Sequence, residues 1–508
     1  MIPKNKRMKV LLINPPITVD ENDYMDDGIA PPLGLGYLGA YLIKGGHEVK
    51  ILDCLAAGFD NLAQVGNKIR YGLDEKEIIE AIKAFGPDVV GVTSMFTSRR
   101  NDAHSIARLV KYINKDMLVV FGGCHASSCS SDVLADGNVD AVVRGEGEET
   151  MLEIVNNIAA GKSIAEIKGA VIRANGSIRI NESRPFIKDL DSIPFPSRDL
   201  FSMDLYFKNQ KKGTYYNMRA PFTTVITSRG CPGQCVFCSI KNVWGNKWRA
   251  RSPKNVADEI EFLIRAYNIR EIIFLDDNIS ADRNRMKEIC NEIIERKLDI
   301  KWTTPNGIAL WTLDEELLKI MKKAGCFKLT FGLESGSSKT LKFINKNYSY
   351  EHADNIIKFA NRLGIITLGT FIIGFPYETS KDIEDTIKYA VKSELDFAFF
   401  YTAATFPGTK LYEITKNENL AYNIDSSEVY GGATSKYFTS EQLNKYRHEA
   451  GIKFTRSRIG KMHKYILKIR SLEDFNYLVK LGMSFFRVIK KGGKDIVSTT
   501  ALIREKRQ

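Results

Sequence analysis

Residues 222–238 read FTTVITSRGCPGQCVFC, and this stretch decides how the chain is understood. Phe222 to Thr227 is a β-branched run that breaks at Gly230, as a buried strand does when it enters a loop. The loop then carries three thiols, Cys231, Cys235 and Cys238, at Cys-x3-Cys-x2-Cys. Iron–sulfur clusters are held by Cys thiolates, and a cubane cluster normally takes four. No fourth Cys lies close by: the next is Cys290. A 4Fe-4S cluster held by three thiolates leaves one iron open, which suits binding and reducing a substrate. Zinc would want four ligands, and there is no His between His125 and His352. A buried structural trio would not need the Gly-Cys-Pro-Gly frame.

From that loop an alternating series runs on to about residue 425. SPKNVADEIEFLIRAYN is a helix with Ser252 as N-cap, Pro253 at its first position, and Val256, Ile260, Leu263 and Tyr267 on one face. EIIFLDDN, KWTTPNG, KLTFGLESG, ITLGTFIIGFP and DFAFFYTAATFPGT read as strands, with helices LDEELLKIMKKAG and EHADNIIKFANRLG among them. This pattern predicts a β/α barrel, or part of one, with its chemistry at the strand C-termini.

Upstream, a first series alternates in the same way. KVLLINPP, HEVKILD, DVVGVTSM, MLVVFGG and DAVVRGEGEE are strands separated by helices, including DEKEIIEAIKAFG with Gly86 as its stop. Near-continuous apolar strands predict a parallel sheet covered on both faces. Its ligands should bind at the carboxyl ends, here NPP, TSM, GGCHAS and RGEGE. The expected organisation is α/β: a Rossmann-like domain over 1–175, a linker over 176–215, a barrel over 216–425 and a basic helical region over 426–508.

The Cys trio, with Phe237 just before its last member, resembles the radical S-adenosylmethionine (SAM) superfamily. The later strands resemble it in the same order. FLDDN (Asp276, Asp277, Asn278) stands where the superfamily holds the methionyl amine of SAM. FGLESG (Glu334) stands where an acid meets its ribose. GTFIIGFPYET, around Ile373 and Gly374 with Glu378 on the loop, stands near its adenine. The N-terminal stretches INPP, PPLGLGYLGAYL, GHEVKILD, VVGVTSM, FGGCHAS and VVRGEGEET resemble the cobalamin-binding module that precedes some of these barrels. The chain is therefore identified as resembling the cobalamin (B12)-binding radical SAM enzymes of the class B methyltransferase type, over roughly residues 8–425. The resemblance implies a 4Fe-4S cluster, SAM and cobalamin as cofactors, and methylation of an unactivated carbon by way of a 5′-deoxyadenosyl radical. A radical cyclisation without methyl transfer, on a porphyrin-like or lipid-like substrate, is the alternative. Methylthiolation of tRNA is disfavoured, because Cys54, Cys124 and Cys129 do not supply a second cluster trio.

Cobalamin is expected without a protein His ligand. Many such modules use Asp-x-His-x-x-Gly in the loop after the first strand, where this chain has Asn14-Pro15-Pro16. The near-match Asp102-Ala-His104 falls in a helix after the third strand, which makes His104 a helix-surface residue. Ser94, Gly122, Gly123, His125, Gly145, Glu146 and Gly147 are the expected cobalamin contacts; each Gly could equally serve turn geometry, and His125 a simple turn. Cys290 and Cys326 read as buried apolar residues. Trp244, Trp248, Arg249 and Arg251 either border the pocket or pack the first barrel helix.

The 508 residues carry 44% hydrophobic and 26% charged side chains, an ordinary globular balance. Eight Cys in so long a chain do not make a disulfide framework and point to a reducing cytoplasm. Neither a signal peptide nor a transmembrane helix is expected. Of the net charge of +12, +11 lies in residues 451–508, with fifteen Lys+Arg against four Asp+Glu. A body of almost no net charge argues against a nucleic-acid partner. Leu478, Leu481, Phe485 and Ile489 share a helical face there. That face is either a cap on the barrel or a peripheral contact with the inner membrane surface. The remaining expected partners are a small-molecule or lipid-like substrate and an external electron donor of flavodoxin or ferredoxin type.

Overall fold

In a computed structural model the described residues are 6–20, 29–174, 176–210, 217–346, 348–420, 435–461, 463–466 and 468–490, the side chains of 20, 463, 466 and 482–490 excepted. They form two compact units. The first runs through Asn209 and takes in Asn242–Trp244; the second holds the cysteine loop and everything from Gly245 onward.

The first unit is a seven-stranded sheet. Its strands are β1 (Lys9–Asn14), β2 (Glu48–Asp53), β3 (Val89–Thr93), β4 (Leu118–Gly122), β5 (Ala141–Val143), β6 (Ala170–Ala174) and β7 (Ser177–Ile180). They lie in the order β7-β6-β5-β4-β3-β1-β2. The first five are parallel to their neighbours, and the β6–β7 hairpin adds on antiparallel. The parallel order 2-1-3-4-5 reverses between β1 and β3, and such a switch point opens a crevice at the strand carboxyl ends. Val10, Leu11, Leu12 and Ile13 in β1 are all buried. Each stabilises by about 1.5–3 kcal/mol relative to an exposed side chain, which is why a continuous apolar run becomes the central strand. The helices α1 (Leu33–Lys44), α2 (Glu75–Phe85), α3 (Arg100–Ile113) and α4 (Glu148–Ala159) flank the sheet. Helix α2 starts in a capping box of Asp74 and Glu77 and ends at Gly86 in the left-handed region.

The stretch after β7 is not bare connection. Leu190, Ile193, Phe201, Met203 and Tyr206 are buried, and the Tyr206 hydroxyl donates to Asp53 Oδ2 at 2.6 Å.

The second unit holds six parallel strands in sequential order: β8 (Phe222–Val225), β9 (Glu271–Phe274), β10 (Lys301–Ile308), β11 (Cys326–Glu334), β12 (Ile366–Ile373) and β13 (Phe397–Thr402). This is the partial β/α barrel that the alternation predicts. Helix α5 (Pro253–Tyr267) begins as its sequence dictates, with Ser252 accepting from the Asn255 amide at 3.2 Å. Helices α6 (Tyr350–Arg362) and α7 (Ser380–Lys392) follow β11 and β12.

Two further helices, α8 (Ser440–Ile459) and α9 (Leu472–Lys490), carry much of the basic C-terminal region. Tyr477 packs with Phe327 and Ile366 from the barrel, and Leu478 and Leu481 pack against the same cluster. That half of the α9 face is thus barrel core; Phe485 and Ile489 lie outside the described side chains. Arg219 pairs with Glu473 at 2.6 Å, tying α9 to the segment before β8. No helix among the described residues is long and apolar enough to cross a membrane.

Candidate functional site

The cysteine loop is held from both sides. Buried Asp276, just past β9, accepts from the Thr227 amide at 3.1 Å, from Thr227 Oγ1 at 2.7 Å and from the Ser228 hydroxyl. Further on, the Val236 amide donates to Ile344 O at 3.1 Å, and Asn345 Nδ2 donates to Gln234 O at 3.1 Å. Phe237 packs into the cluster of Val236, Leu341, Ile344 and Phe375. The loop held by these anchors carries the three free thiols, all half-buried. A Cβ at Gly233 would sit 3.3 Å from Cys231 Sγ and 4.0 Å from Cys235 Sγ, so glycine keeps the loop clear between its thiols. Among the described residues no three His, Cys, Asp or Glu side chains converge on a single ion. Burial pushes the Cys235 and Cys238 thiols up, Cys238 to about 12. Thiolates at these positions would therefore call for a metal centre to hold them.

Asn278 lies beside the loop. Its Nδ2 is 3.8 Å from Cys231 Sγ, while its buried Oδ1 has no hydrogen-bond partner. An unpartnered buried acceptor next to a thiol suits a ligand that brings an N–H donor. Asp277 is pushed up to about 7, first by burial and then by the charge of Asp276.

At the end of β11 a register shift between Gly332 and Glu334 marks a bulge, and Glu334 takes φ +62°. Its Oε1 is 2.6 Å from Lys346 Nζ. A Cβ at Gly332 would fall 2.7 Å from both of those atoms, so the glycine makes the space the pair fills. Burial alone would lower the Lys346 pKa; the Glu334 carboxylate and the Cys235 thiol outweigh it and hold it raised. Lys346 was not singled out by motif. The signal available was a lone Lys in INKN, shortly after the FGLESG acid.

Ile373 closes β12, and Gly374 follows at φ +89°. Glu378 Oε2 accepts from the Gly374 and Phe375 amides at 2.6 and 3.1 Å, and its other oxygen accepts from Thr340 Oγ1 at 3.2 Å. Glu378 thus shapes the turn. Arg251 forms a buried pair with Glu259 of α5 and donates to Ile226 O at 3.0 Å, so it packs the first barrel helix. Trp248 Nε1 donates to Asn278 O at 2.9 Å. Cys290 and Cys326 are buried, with thiols pushed up by burial, as expected of core residues.

In the first unit the sheet's carboxyl ends bring Ser94, Gly123 and His125 together. The Ser94 carbonyl accepts from the His125 amide at 3.1 Å. Gly123, at φ +105°, would place a Cβ 2.7 Å from that same carbonyl. Buried Ser94 Oγ has no partner, which leaves a hydroxyl for a ligand at the end of β3. His125 shares a 3.1 Å hydrogen bond with Thr97 Oγ1, and burial, then Arg100 and His104, push its pKa down to about 4. It is therefore neutral near pH 7. Gly122 ends β4 with the Val143 carbonyl 4.0 Å from where a Cβ would sit, while the Gly145 amide donates to Ser127 Oγ at 3.0 Å and Gly147 caps α4. Glu146 accepts from the Ile187 amide at 2.7 Å. His104 is on α3 and pairs with Asp136 at 2.7 Å. It is half-buried rather than a surface residue, because that partner and the Phe121 ring at 5.3 Å cover it.

The Radical SAM superfamily pattern matches residues 225–390, and the B12 binding domain pattern matches residues 26–155. An uncharacterized methyltransferase of Pyrococcus horikoshii is 38% identical over 453 residues, covering 88% of this chain and 93% of that protein. The chain belongs to the cobalamin-binding radical SAM enzyme family. Within it, the cytidylyl-2-hydroxyethylphosphonate methyltransferase of Streptomyces wedmorensis is 34% identical, over 80% of this chain and 82% of its own length. The anaerobic magnesium-protoporphyrin IX monomethyl ester cyclase of Rubrivivax gelatinosus is 29% identical, over 80% and 70%. Among solved structures, the cobalamin-dependent SAM radical enzyme OxsB with aqua-cobalamin and SAM bound matches with a TM-score of 0.70 and 17% identity. That match covers 96% of this chain and 71% of that one, a likeness of fold.

Proposed function

We propose that this enzyme methylates an unactivated carbon of a small molecule. The observation that carries the reading is the three-thiol loop whose neighbour Asn278 keeps a buried acceptor unpartnered. Cys231, Cys235 and Cys238 would hold the 4Fe-4S cluster and leave one iron for SAM. Asn278 would accept from the SAM amine, Lys346 would offset its carboxylate, and Glu334 would take its ribose hydroxyls. Phe237, Ile373 and Gly374 would line the adenine side. Asp276 acts as a positioning residue, since its carboxylate is spent on the loop. In the first unit Ser94, Gly122, Gly123, His125 and the Gly145–Gly147 loop would meet cobalamin. His125 serves as a neutral hydrogen-bonding group there.

When bound, these cofactors supply a one-electron cleavage of SAM to a carbon-centred radical and a transferable methyl group. The chain supplies placement and exclusion of water. The electron comes from an external donor of flavodoxin or ferredoxin type. Two methyltransferases that match over four-fifths of the chain or more favour methyl transfer over cyclisation.

The test is anaerobic reconstitution with iron, sulfide, cobalamin and methyl-labelled SAM, assayed against lysate fractions. Label in a product together with 5′-deoxyadenosine is the expected result. Deoxyadenosine without label assigns the enzyme to radical cyclisation. Neither product, with the cluster intact, overturns both. Cys235→Ala should abolish cluster and cleavage together.

A further inference from the structure

A second site lies at the other end of the barrel. Helices α6 and α8, the start of the helix Glu315–Lys323, the turn 394–396 and the side chains of Lys461, Lys464, Tyr465 and Lys468 line a cavity of about 900 Å³. It opens at the amino ends of β12 and β13, where Lys468 Nζ donates to Ile365 O and Asp396 immediately precedes the last strand. Strand β12 is eight residues long, so this end is roughly 26 Å from Gly374 and the SAM side of the barrel.

The walls are strongly basic. Lys358, Arg362, Arg458, Lys461, Lys464 and Lys468 line the cavity. Only Glu315, Glu394 and Asp396 oppose them, which leaves an excess of three positive charges. The pairing shows where that excess sits. Lys468 is matched by Asp396, and Arg362 lies 3.7 Å from Glu315. Lys461 and Lys464 share the single carboxylate of Glu394.

Arg458 is the informative member. It is only 3% exposed. Its Nη2 donates to the Ala390 and Val391 carbonyls at 3.0 and 3.2 Å, and its guanidinium stacks over Phe454 at 4.2 Å. Its Nε and Nη1 are buried with no partner. A buried guanidinium held only by two carbonyls and a ring, behind a cationic cavity, calls for an anion close by, and a phosphate carries more charge than a single carboxylate. A multiply charged anion would also balance the excess charge, as a monoanion would not.

We propose that this cavity binds a phosphate-bearing ligand, with Lys358 and Lys464 meeting the phosphate at the mouth and Arg458 adding its charge from behind. The site is independent of the methylation reading, because no cofactor residue enters it. The shared chemistry is a phosphate group, carried by a free metabolite or by a lipid headgroup.

Calorimetric titration of the cofactor-loaded enzyme with inorganic pyrophosphate, at low and high salt, reads the first source. Co-sedimentation with vesicles of phosphatidylglycerol and phosphatidylcholine in equal parts reads the second. The variants are Arg458→Gln and the exposed double variant Lys358→Glu/Lys464→Glu. The double variant keeps the experiment decisive if Arg458→Gln fails to fold. Expected is saturable binding that weakens with salt and falls at least about tenfold in either variant, about 1.4 kcal/mol. Iron per chain in the double variant should stay at the wild-type level. Binding of pyrophosphate alone assigns a soluble ligand, and binding of vesicles alone a lipid headgroup. No binding in either arm overturns the proposal, and so does binding that the double variant leaves unchanged.

Discussion

Removing the Asp276 carboxylate should unseat the cluster before it touches SAM. In Asp276→Ala three donors lose their acceptor: the Thr227 amide, the Thr227 hydroxyl and the Ser228 hydroxyl. All three belong to buried residues within four positions of Cys231. A buried donor left unsatisfied costs about 1–3 kcal/mol. Both hydroxyls can turn to find carbonyls, so the sum falls short of three full penalties. We expect about 3–5 kcal/mol against the ordered loop, a shift of roughly 10²–10⁴ in its population. Asp276→Asn keeps an acceptor of the same shape and should cost about 1 kcal/mol. The assay is iron and sulfide per chain after anaerobic reconstitution, followed by equilibrium dialysis of SAM. Asp276→Ala should lose most of its iron, and Asp276→Asn should keep most of it. Full iron in Asp276→Ala with SAM affinity lost would refute the reasoning and make Asp276 a direct ligand contact.

Other outcomes follow from the same packing. Burial pushes Glu378 up to about 7 from 4.5, so the folded chain holds that proton more tightly than the unfolded one. Stability from this group is therefore lost as pH rises from 4.5 through 7, by about 2.5 kcal/mol between pH 5 and 8. Chemical denaturation of wild type and Glu378→Gln across that range should show the wild type losing stability relative to the variant as pH rises; parallel curves would contradict it. Lys346→Met should leave Glu334 without its cation and raise the apparent Kd for SAM at least tenfold while iron loading holds. In Gly123→Ala a methyl group meets the Ser94 carbonyl at a positive φ, at about 1–3 kcal/mol. Cobalamin retained per chain after gel filtration should drop. Lys468→Met breaks a buried pair with Asp396 and should cost about 3–5 kcal/mol, read as a lowered urea midpoint.

Much of the architecture was legible because its signals are local. Apolar runs ending in Gly or Pro fixed the strands, and Ser252, Pro253 and Gly86 marked helix ends that the structure repeats. The cysteine spacing likewise needed no tertiary knowledge. Other features depend on partners far apart in sequence. Asp276 looks like any acid at a strand end until Thr227 and Ser228 arrive from 49 and 48 residues away. Nothing in the pattern joins Lys346 to the thiols. The basic tail shows the limit from the other side: counting charges suggested a surface, but Lys468 lies buried against Asp396 and Asn361. In the small antiparallel sheet the hairpin of Leu62–Val65 and Lys68–Tyr71 is local, but Ile17–Asp20 joins it by pairings across some fifty residues that no run of sequence reveals.

The bulge in β11 has a bearing on how this site tolerates change. Leu333 and Glu334 together stand opposite Phe371, so the acid's orientation depends on a count of residues as well as on their identity. A substitution at Leu333 alters packing and leaves that count intact. Deleting one residue between Thr330 and Leu333 would regularise the ladder and keep Glu334 opposite Phe371, but with an extended backbone in place of φ +62° that re-aims its carboxylate. It would then stand away from Lys346. Along this strand, then, the reading frame of the pleat is under stricter constraint than most of the side chains it carries.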